Sequence, residues 1–306
     1  MNNIVAIVTL YHPDDGVPER MKAIAEQVTW LILSDNTPNK DNSSLFKDIK
    51  NVVYLCNKKN LGLSGAINCG LRTRRARESD YLFFFDQDSQ VESGHIDTMI
   101  KDWNEIEKNH RIGLLGPFYY DEITQSYNVD SFVTGVNTEN EYKPVRQMIT
   151  SSMMSRYSVL KEIKFWNRKI FLDYADYDLC WRLLGKGYEL FLTSNVCMNH
   201  RIGIGSVPAF DLITRKHFRL AYGAPIRRYY QTRASIKLLR WGYVPKEWRK
   251  WLIANLTLRC CFELVYLPDK LKLTKYYLLG LMDGFLNING EFKKILHSME
   301  NNNEKQ

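Results

Sequence analysis

Asp86-Gln87-Asp88 is the densest chemical signal in the chain: two carboxylates one residue apart, directly after the apolar run Tyr81-Leu82-Phe83-Phe84-Phe85. Carboxylates so placed can hold a hard divalent cation, Mg2+ or Mn2+, whose remaining ligands come from a substrate diphosphate. Such an ion acts as a Lewis acid on a departing phosphate group. A solvated turn is the competing reading, because Asp-x-Asp recurs by chance in loops. A second acidic group, Asp173, Asp176 and Asp178, precedes Arg182, with no basic residue in between. Carboxylates this close raise one another's proton affinity. One of them at a helix entrance in a cleft can take a proton from a hydroxyl as general base. Helix N-capping is the competing role for Asp173 or Asp176. His200, followed by Gly203 and Gly205, is a candidate third metal ligand or phosphate contact, against the commoner structural role of a lone histidine.

These residues need a scaffold, and the first ninety residues supply its pattern. Ile4 to Leu10, Trp30 to Leu33, Val52 to Leu55 and Tyr81 to Phe85 are short apolar runs of strand length. Pro18 to Val28 and Leu63 to Arg77 have helical spacing between them. Strand and helix in alternation predict a parallel sheet covered by helices. Ligands of such sheets bind beyond the carboxyl ends of the strands, so Thr9, Asp35, Asn60 and Asp86 are expected at one edge. Asp35 can accept hydrogen bonds from a base or ribose, or close an Asx-turn with Asn36 and Pro38. Gly62 and Gly65 would let a ligand approach the backbone at a helix N-terminus, with plain helix–sheet packing as the equal alternative. The pattern loosens from Ile112 to Met154; a helix is expected over Asp176 to Leu184 and a strand over Tyr188 to Leu192. Beyond about Gly205 the texture becomes basic, aromatic and helical, broken at Pro225, Pro245 and Pro268. The expected domains are therefore 1–205, carrying the chemistry, and 206–306, a helical region.

Composition narrows the classes. A chain of 306 residues with 45% hydrophobic and 25% charged residues can bury a large core, and disorder is expected only in Asn301 to Gln306. The net charge of +8 is lopsided: residues 1–200 hold 23 Lys+Arg against 26 Asp+Glu, and residues 201–306 hold 19 against 8. A basic segment can meet nucleic acid, an anionic membrane or a phosphorylated ligand, or simply be a solvated face. No nucleic-acid module is present, which leaves nucleic acid out of the expected partners. Trp241, Tyr243, Trp248, Trp251 and Tyr266 mingle with Arg249, Lys250, Arg259 and Lys270, as in segments that lie on an anionic membrane; packing on the catalytic domain or a partner subunit is the equal alternative. The six cysteines form no Cys-x-x-Cys pair, which suits reduced thiols in the cytoplasm. Neither a signal peptide nor a spanning run of about 20 apolar residues is apparent.

In order along the chain, the motifs resemble those of the inverting family 2 glycosyltransferases, and more narrowly their bacterial rhamnosyltransferase branch. Thr9-Leu10-Tyr11-His12-Pro13 is similar to the family's opening strand end. Ser34-Asp35-Asn36 resembles its nucleotide motif, and Asn60-Leu61-Gly62 through Asn68-Cys69-Gly70 its Asn-x-Gly segment. Asp86-Gln87-Asp88-Ser89 has the form typical of the rhamnosyltransferase branch. Thr150-Ser151-Ser152 resembles the acceptor-side strand, Asp173 to Arg182 the block carrying the base, His200 with Gly203 a His-x-x-Gly element, and Arg228 to Arg233 a basic-aromatic segment after the catalytic domain. The resemblance covers roughly residues 4–235.

That resemblance implies a GT-A fold, a Rossmann-like and mostly parallel central sheet flanked by helices, with a C-terminal helical appendage. It implies L-rhamnose transfer from dTDP-β-L-rhamnose with an α-linked product. The expected acceptor is a surface polysaccharide, O-antigen or capsule, and the basic, aromatic C-terminal third is what suggests a lipid-linked acceptor at the cytoplasmic face of the membrane. Asp176 falls at the base, with Asp173 and Asp178 as alternatives. Thr9, Asp35, Asn60, Gly62 and Asp86 fall on the nucleotide, Asp88 and His200 on an Mg2+ or Mn2+ ion, and Asp173, Asp178, Arg182 and Ser152 in support. Another nucleotide sugar (glucosyl, galactosyl or galactofuranosyl) and a non-catalytic nucleotide-binding scaffold are the rival readings. A homo-oligomer is left open.

Overall fold

In the computed structural model, residues 2–121, 126–127, 142–200, 203–211 and 215–292 are described; Asn301 to Gln306 lie outside them. The chain opens with parallel strands β1 (Ile4–Leu10), β2 (Trp30–Asp35), β3 (Val52–Cys56) and β4 (Tyr81–Asp86). Helices α1 (Val17–Ala25) and α2 (Gly62–Leu71) lie between them. The expected helix from Leu63 to Arg77 is two pieces. Thr73 is extended and caps a short α3 (Arg74–Arg77) by accepting from the Ala76 amide, a competition between hydroxyl and helix backbone that ends α2.

The spatial order is β3-β2-β1-β4, continued by β8 (Met153–Ser155), β5 (Ile112–Asp121), β9 (Glu189–His200) and β7 (Tyr142–Val145), with β6 (Ser126–Tyr127) on β5. The chain leaves β1 toward β2 on one side and returns to β4 on the other. The β1/β4 junction is thus a switch point, where a crevice opens beyond the strand ends. Apolar strands alternate across the sheet. Val5, Ile7, Leu82 and Phe84 pack on one face with Ile67 of α2 and with Leu179 and Trp181 of α6 (Ala175–Leu184). Ala6, Val8, Phe83 and Phe85 pack on the other with Met21 of α1 and with Met99 and Trp103 of α4 (His95–Glu107). Both faces are dry, which is why these strands read as unbroken apolar runs.

Helix α5 (Tyr157–Glu162) follows β8. Residues from Gly205 onward, expected to be helical, begin instead with an antiparallel hairpin, β10 (Gly205–Asp211) and β11 (Lys216–Tyr222). Its apolar residues Val207, Ala209, Phe218 and Leu220 share one small core, a period of two that marks strands. The helices come after it: α7 (Pro225–Arg240), α8 (Lys246–Ala254), a π-helical turn at Asn255–Arg259, α9 (Cys260–Tyr266) and α10 (Lys270–Phe285). Pro225 opens α7, Pro245 caps α8 and Pro268 separates α9 from α10, positions where a missing amide costs no helical hydrogen bond. Ala234, Leu238, Val244 and Leu252 belong to the same core as Trp181 and the sheet.

Candidate active site

Strand ends at the switch point set the first wall. Thr9 of β1 is in register with Asp86 of β4 on one side and Ser34 of β2 on the other. Asp86 accepts from Ser151 Oγ at 2.9 Å, and its amide donates to Ser89 Oγ at 3.1 Å. Gln87 holds the turn: its side chain accepts from the Tyr11 amide at 2.8 Å and donates to the Tyr11 carbonyl at 3.1 Å, while its own carbonyl accepts from Arg20 Nε at 3.0 Å. Pinned at Asp86 and Gln87, the turn presents Asp88 as an exposed carboxylate.

The second wall comes from the entrance of α6 and the start of α7. Tyr174 turns the chain with a left-handed φ of 67°, and this sets Asp173 and Asp176 on the cleft. Asp173 Oδ1 accepts from Arg227 Nη2 at 2.6 Å, Arg227 Nε at 3.1 Å and Gln231 Nε2 at 3.2 Å. Its other oxygen is buried and has no hydrogen-bond partner among the described residues. Asp176 sits in the first turn of α6, with one oxygen accepting from the Tyr177 amide at 2.9 Å. Burial drives its pKa up to about 7, and the neighbouring carboxylates of Asp86 and Asp173 push the same way against the Tyr177 hydrogen bond. Asp173 holds Arg227 firmly in its charged form.

Together these walls enclose a cleft of about 610 Å³ that brings Asp86, Asp88, Asp173 and Asp176 to one space with Arg227 and Gln231. A volume in the range of roughly 300–1,000 Å³ takes a small organic ligand. A carboxylate near neutrality opposite a pair of hard oxygen donors can combine proton removal with phosphate handling.

Other expected site residues lie around this cleft rather than in its lining. Asp35 is 0% exposed. It accepts from the Thr37 amide at 2.7 Å, Asn42 Nδ2 at 2.8 Å and Tyr54 Oη at 2.7 Å. Burial alone would raise its pKa, but these hydrogen bonds outweigh it and hold the carboxyl below its ordinary value. The bond to Thr37 is the Asx-turn that the sequence offered as the alternative. Asn60 closes a similar turn on the Gly62 amide at 3.0 Å. Gly62 has φ +71°, and a Cβ there would stand 2.2 Å from the Phe171 carbonyl. The close approach that requires glycine is thus made by the chain's own Phe171, and at Gly65 by Leu61. Thr9 Oγ1 is buried without a hydrogen-bond partner among the described residues.

Asp178 is 0% exposed and receives Arg182 Nε at 2.7 Å, Asn167 Nδ2 at 3.3 Å and the Tyr243 hydroxyl. Arg182 also donates to the Ile163 and Phe165 carbonyls at 2.7 and 2.8 Å. The two tie α6 to the 163–167 loop. Ser152, at φ 59°, faces His95 Nε2 at 2.6 Å, and burial takes His95 down to about 4. His200 ends β9 opposite Asp121; its side chain is outside the described residues. Among those residues no group of three or more His, Cys, Asp or Glu is arranged to hold a metal ion.

Sequence reasoning overlooked Arg227, which immediately precedes the basic-aromatic segment Arg228 to Arg233, and gave Gln231 within that segment no role of its own. It selected Ser152 where its neighbour Ser151 makes the contact with Asp86. The residue types were in view in both cases; which of two adjacent side chains faces the cleft is fixed by local backbone geometry, Ser152 by its left-handed turn.

Residues 5–164 match the family model described as glycosyl transferase family 2. The chain is 24% identical over 298 residues to the dTDP-rhamnosyl transferase RfbF of Shigella flexneri, covering 94% of this chain and 97% of that one. Among solved structures it resembles S. aureus TarS, with TM-score 0.53 and 12% identity over 94% of this chain and 49% of that one. It also resembles GalNAc-T7 crystallised with UDP, GalNAc and Mn2+, with TM-score 0.57 and 14% identity over 92% of this chain and 55% of that one. The chain spans about half the length of these two structures.

Proposed function

The chain belongs to glycosyl transferase family 2 and has a GT-A fold, and we propose that it moves L-rhamnose from dTDP-β-L-rhamnose to a hydroxyl of a growing surface polysaccharide. The near full-length similarity to a dTDP-rhamnosyl transferase supports the donor. The observation that carries the chemistry is the convergence of Asp86, Asp88 and Asp176 on one cleft.

Asp176 is the general base. At about 7 its pKa leaves a large fraction ionised near neutral pH, which suits proton removal from an alcohol as it attacks. The acceptor oxygen bonds to the anomeric carbon while the bond from that carbon to the diphosphate breaks. The acceptor's proton passes to Asp176, and the configuration inverts because no enzyme nucleophile intervenes. Asp173, fixed by Arg227 and Gln231, holds the α6 entrance in place. Thr9 and Asp86 meet the nucleoside at the strand ends; Asp35, Asn60 and Gly62 shape its pocket through the turns they close.

A divalent cation, Mg2+ or Mn2+, is part of this reading. Asp88 and Asp86 are hard oxygen donors at the cleft, and so small a protein ligand set suits an ion completed by diphosphate and water; His200 is the third candidate. Bound there, the ion would stabilise charge on the leaving diphosphate. A lipid-linked acceptor and contact with the cytoplasmic membrane face complete the proposal; among the described residues no helix is long and apolar enough to cross a membrane.

Mass spectrometry of a donor panel tests it. The purified protein is given dTDP-rhamnose, UDP-glucose, UDP-galactose or UDP-galactofuranose with Mg2+ or Mn2+ and a membrane extract as acceptor source. Rhamnose transfer with release of dTDP is expected. Transfer from a UDP-hexose alone would reject the donor, and no turnover of any donor would reject the reading.

A further inference from the structure

Helix α10 has two opposite faces. Leu273, Gly280 and Gly284 are buried; at Gly280 an added Cβ would meet the Tyr229 carbonyl at 2.7 Å and at Gly284 the Ile236 side chain at 2.7 Å, so this face lies directly on α7. Leu271, Lys275, Leu278, Met282 and Phe285 recur at intervals of three and four residues, about 180° around the helix from that seam. They face away from the protein: Leu271 is 90% exposed and Phe285 64%. Leu286 continues the stripe at 65%. Large aliphatic and aromatic side chains in a row along some 20 Å of helix are not the scattered apolar residues of an ordinary surface.

Charge identifies the occupant. Lys270 and Lys272 flank the stripe and Lys275 lies within it, and the helix carries one acidic residue, Asp283, whose carboxylate is turned inward to the Tyr229 hydroxyl at 2.5 Å. A second copy docked face to face would offer these lysines apolar residues or its own lysines and no acidic side chain, whereas an anionic lipid surface satisfies both the apolar stripe and the charge. The aromatics that the sequence suggested for this role are engaged inside the fold. Trp248 and Trp251 pack with Trp181, Tyr174 and Tyr177, the Tyr243 hydroxyl binds Asp178, and Tyr266 bonds the Phe210 backbone.

Leu273 and Leu267 line the catalytic cleft, while Leu271, on the same turn of α10 as Leu273, points outward. One helix therefore separates the cleft from the stripe. We propose that the outer face of α10 docks on an anionic bilayer, partially immersed and parallel to its surface, and so brings the cleft to a lipid-linked acceptor. This deepens the membrane part of the proposed function without depending on the donor.

Vesicle flotation of the full chain tests it, with neutral phosphatidylcholine vesicles compared against vesicles containing phosphatidylglycerol. Wild type is expected to float with the anionic vesicles and to be released by high salt. Leu278→Glu with Phe285→Glu should stay unbound while keeping its far-ultraviolet circular dichroism. Lys272→Ala with Lys275→Ala should lose on the order of 30-fold in partition. Wild type that stays unbound to anionic vesicles overturns the proposal, as does a wild-type dimer that the two glutamates dissolve. Protein that floats but turns over no donor keeps the docking face and removes the transfer reading.

Discussion

Arg227 binds a single oxygen of Asp173 with two nitrogens, Nη2 at 2.6 Å and Nε at 3.1 Å, across 54 residues of sequence. The pair joins the first turn of α7 to the loop that feeds α6, so the C-terminal helices help build the cleft wall.

Replacing Arg227 by methionine leaves the Asp173 carboxylate, 4% exposed, with Gln231 as its remaining donor. The expected cost is about 1–3 kcal/mol, that of a buried acceptor losing its charged partner. Asp173→Asn in the same background should recover most of it, because the uncompensated charge is gone. Urea unfolding of the two single variants and the double variant measures the coupling.

Asp176 should give transfer a pH profile that climbs through about 7 and levels off above it, since the base must be ionised. Arg227→Met removes a nearby positive charge and should move the midpoint upward. Stability runs the other way. The folded carboxyl holds its proton up to about 7, whereas its ordinary value is 3.8. The folded state therefore binds the extra proton between those values, and stability falls as pH rises across that window. Asp176→Asn should lack this decline. Thermal unfolding from pH 4 to 8 compares the two proteins, and parallel curves would remove the shifted pKa.

Asp178 and Arg182 should matter for folding rather than for chemistry. Asp178→Ala strands a largely buried guanidinium and removes the acceptor of the Tyr243 hydroxyl; losing one partner of a buried pair costs about 3–5 kcal/mol. A loss of stability that size, with transfer per folded molecule close to wild type, is expected. Loss of turnover in a protein of normal stability would return Asp178 to the list of candidate bases.

Much of this was legible in the sequence for physical reasons. Strands buried on both faces show as apolar runs such as Ile4 to Leu10, and their carboxyl ends locate Thr9 and Asp86 without further information. The acidic residues of the α6 entrance stood out by type. What sequence lacks is direction. Asp176 and Asp178, two residues apart, have opposite surroundings because one faces the cleft and the other Arg182 and Tyr243. The hairpin from Gly205 was missed because its alternation is short and the basic residues around it read as helical surface. Gly62 looked like a ligand contact, since nothing local reveals that Phe171 fills the space beside it.

Ser151 and Ser152 give the sharpest contrast. Ser151 donates to Asp86 at 2.9 Å and is linked to Ser89 at 3.2 Å, so it orients the carboxylate that sits beside the proposed ion. Groups that orient such ligands typically contribute 10–100-fold to metal affinity. Ser151→Ala should therefore raise the Mn2+ concentration needed for half-maximal transfer by about that factor, with little change in unfolding temperature. Ser152 instead faces buried, neutral His95. Ser152→Ala should lower stability by about 1–2 kcal/mol and leave the Mn2+ dependence where it was. A metal titration of both variants, beside thermal unfolding, separates the two serines. Equal metal dependence in both would mean that Asp86 is held in place by the strand end alone.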